Sequence, residues 1–199
     1  MARGDRYRRA ASSLPGRRIN VIGVCGSGKT TVGRILAARL GLPFVELDAL
    51  AWGPEWTLSS DEDLRRRVDE GTRGDAWVLD GNYSRFRDLV WPRADTIVWL
   101  DYSFPRAFSQ LLWRTLRRCA TREELWSGNR ERPMNALFSR DSILWWGIKT
   151  FRRRRRNDPA QLARVEHRHL CTVHLRTRRQ TRAWLECLPA PVRQPKEEP

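Results

Sequence analysis

The sequence predicts an α/β fold, a parallel sheet covered on both faces by helices. Short apolar segments rich in β-branched residues alternate with helix-period segments, and the first of them runs into a glycine-rich loop that opens a helix. Ile19-Asn20-Val21-Ile22-Gly23-Val24 reads as that first strand, bounded upstream by Arg17-Arg18. After the loop, Val32, Ile35, Leu36 and Leu40 share one helical face, and Gly41 with Pro43 supplies the stop. Further strands are predicted at 44–47, 76–79, 96–100 and 171–175. Between them, Ser60-Asp61-Glu62-Asp63 resembles a capping box opening a helix through Leu64 and Val68. Phe108, Leu111, Leu112 and Leu116 form an apolar stripe that leaves Arg114, Arg117 and Arg118 elsewhere on their helix. Leu137, Leu144, Ile148 and Phe151 form another.

The chain of 199 residues suits one domain, spanning 18–188. Residues 1–17 read as a mobile basic arm rich in Arg, Ala and Ser, and the proline-rich 189–199 as a flexible tail. The net charge of +15 is carried almost wholly by arginine, the lysines being Lys29, Lys149 and Lys196. Such a charge fits a binder of nucleic acid or anionic membrane, or a protein whose substrates are acidic nucleotides. Codon usage in a GC-rich genome explains the choice of Arg over Lys, not the excess of positive charge. Cys25, Cys119, Cys171 and Cys187 show no C-x-x-C spacing and form no recognisable finger with His167, His169 and His174, so neither a protein-only metal site nor a disulfide framework is expected. No apolar run approaches the roughly 18 residues of a membrane span, and 1–18 lacks a hydrophobic signal core. The expected location is the cytoplasm, with no membrane partner; the oligomeric state is left open.

Gly23-Val24-Cys25-Gly26-Ser27-Gly28-Lys29-Thr30 fits the phosphate-cradling pattern G-x-x-x-x-G-K-[ST] at every fixed position. Glycines let the backbone turn its N–H groups around phosphate oxygens, and the following helix adds its positive N-terminal end. The expected nucleotide-binding set is Gly23, Cys25, Gly26, Ser27, Gly28, Lys29, Thr30 and Thr31. Lys29 reaches the β- and γ-phosphates of ATP, and the Thr30 hydroxyl ligates Mg²⁺.

Each of the next three strands ends in an aspartate: Asp48, Asp80 and Asp101. Ligands bind at that edge of an open parallel sheet. Magnesium on a triphosphate takes hard oxygen ligands and water, and Asp80 is assigned to it together with Thr30. Asp48 is placed opposite, where a carboxylate orients or deprotonates an attacking hydroxyl. An ordinary turn aspartate is the rival reading for Asp48 and Asp80, and the start of the next helix is the favoured one for Asp101.

Leu79-Asp80-Gly81 resembles a segment of adenylate kinase-like enzymes, in which the aspartate works through waters on Mg²⁺. Leu47-Asp48-Ala49-Leu50-Ala51-Trp52-Gly53-Pro54-Glu55-Trp56 and Asp80-Gly81-Asn82-Tyr83 are similar to segments of the FlaR-like group, often called DNA topology modulation proteins, which look like small nucleoside monophosphate kinases. The resemblance covers 18–188 and implies a P-loop NTPase fold with three layers, five parallel strands ordered 2-3-1-4-5 and a helical lid insertion near 119–157. It further implies that Arg114 and Arg118, four apart on one helix, grip phosphates beside the lid, with Arg122, Arg130 and Arg132 contributing, and that Arg176 lies against the nucleotide base. In an arginine-rich chain a solvated face remains the alternative. The chain departs from the pattern in two places: Arg85 lies one residue further past Asp-Gly than an acceptor-phosphate arginine would, and the insertion is longer than a simple lid. Trp52 and Trp56 either wall an acceptor pocket or pack the helix opened by Ser60.

The leading functional expectation is an ATP- and Mg²⁺-dependent phosphotransferase acting on a small acceptor such as a nucleotide or nucleoside. Its catalytic residues would be Lys29, Asp48, Asp80, Arg114 and Arg118. The alternative is a nucleotide-gated regulator binding nucleic acid through the basic arm and the arginine run at 152–156, itself equally readable as a helix end in solvent.

Overall fold

The computed structural model describes residues 14–131, 133 and 142–190. Strands β1 (Arg18–Gly23), β2 (Phe44–Glu46), β3 (Trp77–Asp80), β4 (Thr96–Leu100) and β5 (Cys171–Leu175) form one parallel sheet in the order β2-β3-β1-β4-β5. This is the order implied by the resemblance. The helices are α1 (Lys29–Leu40), α2 (Leu47–Ala51), α3 (Asp61–Gly71), α4 (Arg87–Val90), α5 (Phe104–Thr121), α6 (Ile143–Leu162) and α7 (Arg178–Glu186).

Alternation along each strand divides the core in two. Ile19, Val21, Val78, Val98, Leu100 and Val173 pack against Leu36 of α1 and Trp184 of α7. Ile22, Trp77, Leu79, Ile97 and Trp99 face the other way, against Leu47 of α2, Leu64 and Val68 of α3, and Val90 of α4. The register keeps these sets aligned, since Ile19 stands opposite both Val78 and Thr96. A buried polar side chain ties this layer to the site. Asn20 is 2% exposed; its Nδ2 donates to the carbonyls of Leu79 and Gly81, each at 3.1 Å, and its Oδ1 accepts from Trp91 Nε1, also at 3.1 Å. It thereby ties the end of β3, where Asp80 sits, to the middle of β1.

Helix boundaries follow their caps. Ser60 accepts the Asp63 N–H at 3.1 Å, as the capping-box reading expects, and Gly41 ends α1 in the left-handed region with its N–H on the Ala37 carbonyl. The sequence reading of 44–47 as strand needs correction at its end. Leu47 starts α2 instead, because the chain must turn down from the sheet edge to bury Leu47 and Ala51. The stripe expected on α5 is displaced: Ala107, Leu111 and Thr115 are buried and Leu116 is exposed. The small Ala107 and the Cβ of Leu111 are what the glycine loop packs against. On α6, Leu144 and Phe151 are buried as expected, Ile148 is exposed, and Leu137 lies outside the described residues. No helix among the described residues is long and apolar enough to cross a membrane.

Candidate active site

The C-terminal ends of β1, β2 and β3, together with α5, the 123–131 segment and α6, enclose an open cleft of about 2670 Å³. That is more than the roughly 300–1,000 Å³ of a site for one small ligand, so it has room for two. The loop after β1 forms its floor, with Gly23, Cys25, Gly26, Gly28, Lys29, Thr30 and Thr31 on the lining. Ser27 is buried beneath, its N–H donating to the Val24 carbonyl at 3.2 Å.

Gly26 and Gly28 adopt φ of 80° and 83°, which side-chain-bearing residues rarely take. Their surroundings differ. A Cβ on Gly26 would stand 2.3 Å from the Ala107 carbonyl oxygen and 2.8 Å from Leu111 Cβ, whereas one on Gly28 meets nothing within 4 Å among the described residues. Gly28→Ala is therefore expected to cost about 1 kcal/mol of stability, from backbone strain alone. Gly26→Ala adds a clash with α5 and should cost on the order of 3 kcal/mol. Denaturant midpoints of the two variants check the difference.

Lys29 opens α1, its Nζ donating to the Val24 carbonyl of the same loop at 3.2 Å. Thr30 Oγ1 donates to Asp80 Oδ2 at 2.5 Å. Asp80 is 4% exposed and its Oδ1 has no hydrogen-bond partner among the described residues. Burial pushes its carboxyl up to about 6, against the opposing pull of the Lys29 charge and the Thr30 hydrogen bond. A hydroxyl and a buried carboxylate with one uncommitted oxygen, beside a phosphate loop, form a donor set that fits Mg²⁺ and its waters.

Asp48 lies just past β2, in the first turn of α2, and lines the same cleft. Its Oδ1 accepts from the Tyr83 hydroxyl at 2.9 Å. The Tyr83 phenol is raised by burial and then by the Asp48 charge, so it stays protonated and continues to donate. Asp80-Gly81-Asn82-Tyr83 thus serves both sides of the cleft, with Asp80 by the phosphate loop and Tyr83 on Asp48.

Trp52 and Trp56 meet edge to face at 5.6 Å and both line the cleft, while Trp52 also packs against the core cluster that holds Leu64 and Val68 of α3. Arg85 also reaches the lining, paired with Asp61 and lying over the rings of Tyr83 and Phe86. Arg114 and Arg118 both line the cleft, but their surroundings differ. Arg118 is held by Glu123 and Glu131, at 3.5 and 3.4 Å. Arg114 has no carboxylate within ion-pair distance among the described residues, and its buried Nε has no partner. Arg122 and Arg130 are on the lining, Arg130 paired with Glu124, while Arg132 lies outside the described residues. Arg176 is exposed and its backbone N–H donates to the Gln180 side chain; the neighbouring Arg178 is the one that lines the cleft. Asp101 is engaged elsewhere, with His174 at 3.0 Å and Arg155 at 3.4 Å.

The run at 152–156 is not a uniform solvated face. Arg154 Nη1 donates to the Asn82 carbonyl at 2.8 Å, its guanidinium lies over Trp146, and burial lowers its pKa. One turn on, Asp158 is 3% exposed, accepts from Asn82 Nδ2 at 3.3 Å and pairs with Arg87 at 3.5 Å. Asn82 is thereby fixed from α6 through both its carbonyl and its side chain. The signal available in sequence was the four-residue spacing of Arg154 and Asp158, hidden inside a block of like charges.

A shikimate kinase family model matches residues 25–53, the stretch that holds Lys29, Thr30 and Asp48. In solved structures, a shikimate kinase from Bacteroides thetaiotaomicron superposes with a TM-score of 0.51 at 16% identity, covering 85% of this chain and 94% of that one. The fold is that of the P-loop kinases. Among curated proteins, a shikimate kinase of Gloeobacter violaceus is 57% identical over 37 residues, 19% of this chain and 21% of that protein. One of Symbiobacterium thermophilum is 33% identical over 103 residues, 42% of this chain and 56% of that protein. The chain thus spans about a fifth of the first relative and just over half of the second. These likenesses support a kinase-like P-loop grouping, not the DNA topology modulation group that the Asp80-Gly81-Asn82-Tyr83 segment resembles.

Proposed function

We propose that this protein is an ATP- and Mg²⁺-dependent phosphotransferase that moves the γ-phosphoryl group of ATP onto a hydroxyl of a small acceptor. The observation that carries this reading is the pairing of Thr30 with Asp80 beside Lys29, with the Asp48 carboxylate lining the same cleft and oriented by Tyr83. Thr30 and Asp80 would hold Mg²⁺, which would supply neutralisation of the triphosphate's negative charge. The loop amides cradle the phosphates, and Lys29 exchanges the Val24 carbonyl for phosphate oxygens. Arg114, lacking a carboxylate partner, meets the charge on the moving group. Asp48 accepts the acceptor's hydroxyl proton as the new O–P bond forms and the bond from the γ-phosphorus to the bridging oxygen breaks, releasing ADP. Trp52, Trp56 and Tyr83 wall the acceptor and exclude water, which would otherwise take the phosphoryl group.

The nucleic-acid reading is disfavoured by the arginine run, since Arg154 turns inward and Arg155 pairs with Asp101. The names of the relatives make a cyclic hydroxy acid such as shikimate the first acceptor to try, followed by nucleosides and nucleoside monophosphates. ADP release from MgATP across this panel is the test. One acceptor is expected to stimulate release, and Asp48→Asn to lower the stimulated kcat by about 10²-fold or more with little change in the KM for MgATP. Equal basal turnover with every acceptor would overturn the reading.

A further inference from the structure

The acceptor-side loop 52–58 and the segment 123–131 are joined across the cleft, and the join centres on one side chain. Asn129 is 5% exposed, and both its donors and its oxygen are engaged. Its Oδ1 accepts the Trp56 N–H at 2.9 Å, and its Nδ2 donates to the Gly53 and Trp126 carbonyls, each at 2.8 Å. Around it, Ser127 Oγ donates to the Trp52 carbonyl at 2.9 Å and Trp126 Nε1 to Glu46 at 3.2 Å. Glu55, Trp56 and Ser127 all carry left-handed φ, between 54° and 58°. Non-glycine residues hold such a conformation only where surrounding contacts impose it.

The far end of the segment belongs to the other ligand. Glu123 and Glu131 hold Arg118, and α5, which carries Arg114 and Arg118, leads directly into the segment. A continuous run of contacts therefore links the arginines expected on the nucleotide to the tryptophans expected on the acceptor.

We propose that Asn129 is a positioning residue that couples the two halves of the cleft: a nucleotide engaging the α5 arginines orders the 52–58 loop through the Asn129 amide, before any acceptor is present. The coupling rests on the nucleotide reading given above. A loop already ordered by the first ligand costs the second less to engage, and the effect is reciprocal.

Amide hydrogen exchange on the full chain, with and without Mg²⁺ and a non-hydrolysable ATP analogue, tests this. In the wild-type protein the analogue is expected to slow exchange at 23–31, at 123–130 and, by about tenfold, at 52–58. In Asn129→Ala, and in the isosteric Asn129→Asp, which keeps an acceptor and loses both donors, slowing at 23–31 persists while that at 52–58 is lost. Ser127→Ala, which removes one flanking bond and leaves Asn129 in place, gives an intermediate response and serves should the Asn129 variants fail to fold. Protection at 23–31 without any at 52–58 in the wild type, or the same protection at 52–58 in the Asn129 variants, overturns the coupling alone. No protection at 23–31 overturns the nucleotide reading and the coupling together.

Discussion

Lys29→Ala is expected to lower kcat for phosphoryl transfer by about 10³-fold while leaving the melting temperature nearly unchanged. The two halves of this result have different origins. Lys29 is the cationic side chain of the loop itself, and its Nζ hydrogen bond goes to a loop carbonyl at 3.2 Å, not to a carboxylate that truncation would strand. Folding loses one such bond, on the order of 1 kcal/mol, offset in small part by the slightly higher helix propensity of alanine at the first position of α1. Transfer loses a charge held on the oxygens of the moving phosphoryl group, which no other lysine among the described residues lining the cleft replaces. Single-turnover kinetics alongside thermal unfolding check both. A variant that melts far below the wild type would make Lys29 a structural residue instead.

Asp80→Asn should separate stability from activity in the opposite sense. The Asp80 carboxyl is pushed up to about 6 by burial, from 3.8 when unperturbed. A folded-state value above the unfolded one means that this group's favourable contribution is fully present below about pH 4 and is lost as pH rises through about 6. The shift corresponds to about 3 kcal/mol of burdened charge in the ligand-free protein at neutral pH. Asparagine removes that charge and still accepts from Thr30, but leaves an amide hydrogen without a partner where Oδ1 now stands. The net expectation is a ligand-free variant more stable by about 2 kcal/mol at pH 8 and by less at pH 5, with Mg²⁺-dependent turnover reduced by about 10²-fold or more. Unfolding at the two pH values and kcat with MgATP measure it. An advantage that fails to shrink at pH 5 would show that charge burial is not its source.

Much of the architecture was legible because its signals are local. The glycine loop, the apolar strand before it and the helical face after it are contiguous in sequence, and the three strand-end aspartates are visible as Leu-Asp pairs. What resisted reading depends on partners distant in sequence. Asp101 carries the same strand-end pattern as Asp80, yet β5 brings His174 beside it and α6 brings Arg155, which removes it from the cleft. The five-residue α2 is too short to show a helical period, so Leu47 reads as strand. Arg154 was hidden among identical neighbours, and only the fold distinguishes the one that meets Asn82. Asn129 follows a glycine and reads as an ordinary turn residue; its role depends on a loop more than 70 positions earlier in the chain.

The Asn129 amide meets its opposite loop through the Gly53 carbonyl and the Trp56 N–H, backbone atoms that any residue other than proline would offer at those positions. In descent, these bonds by themselves set no requirement on the side chains at 53 and 56, but adding or deleting a single residue between them would pull donor and acceptor out of step. Related genes should therefore inherit the lengths of these two stretches as a pair, even where their letters have diverged.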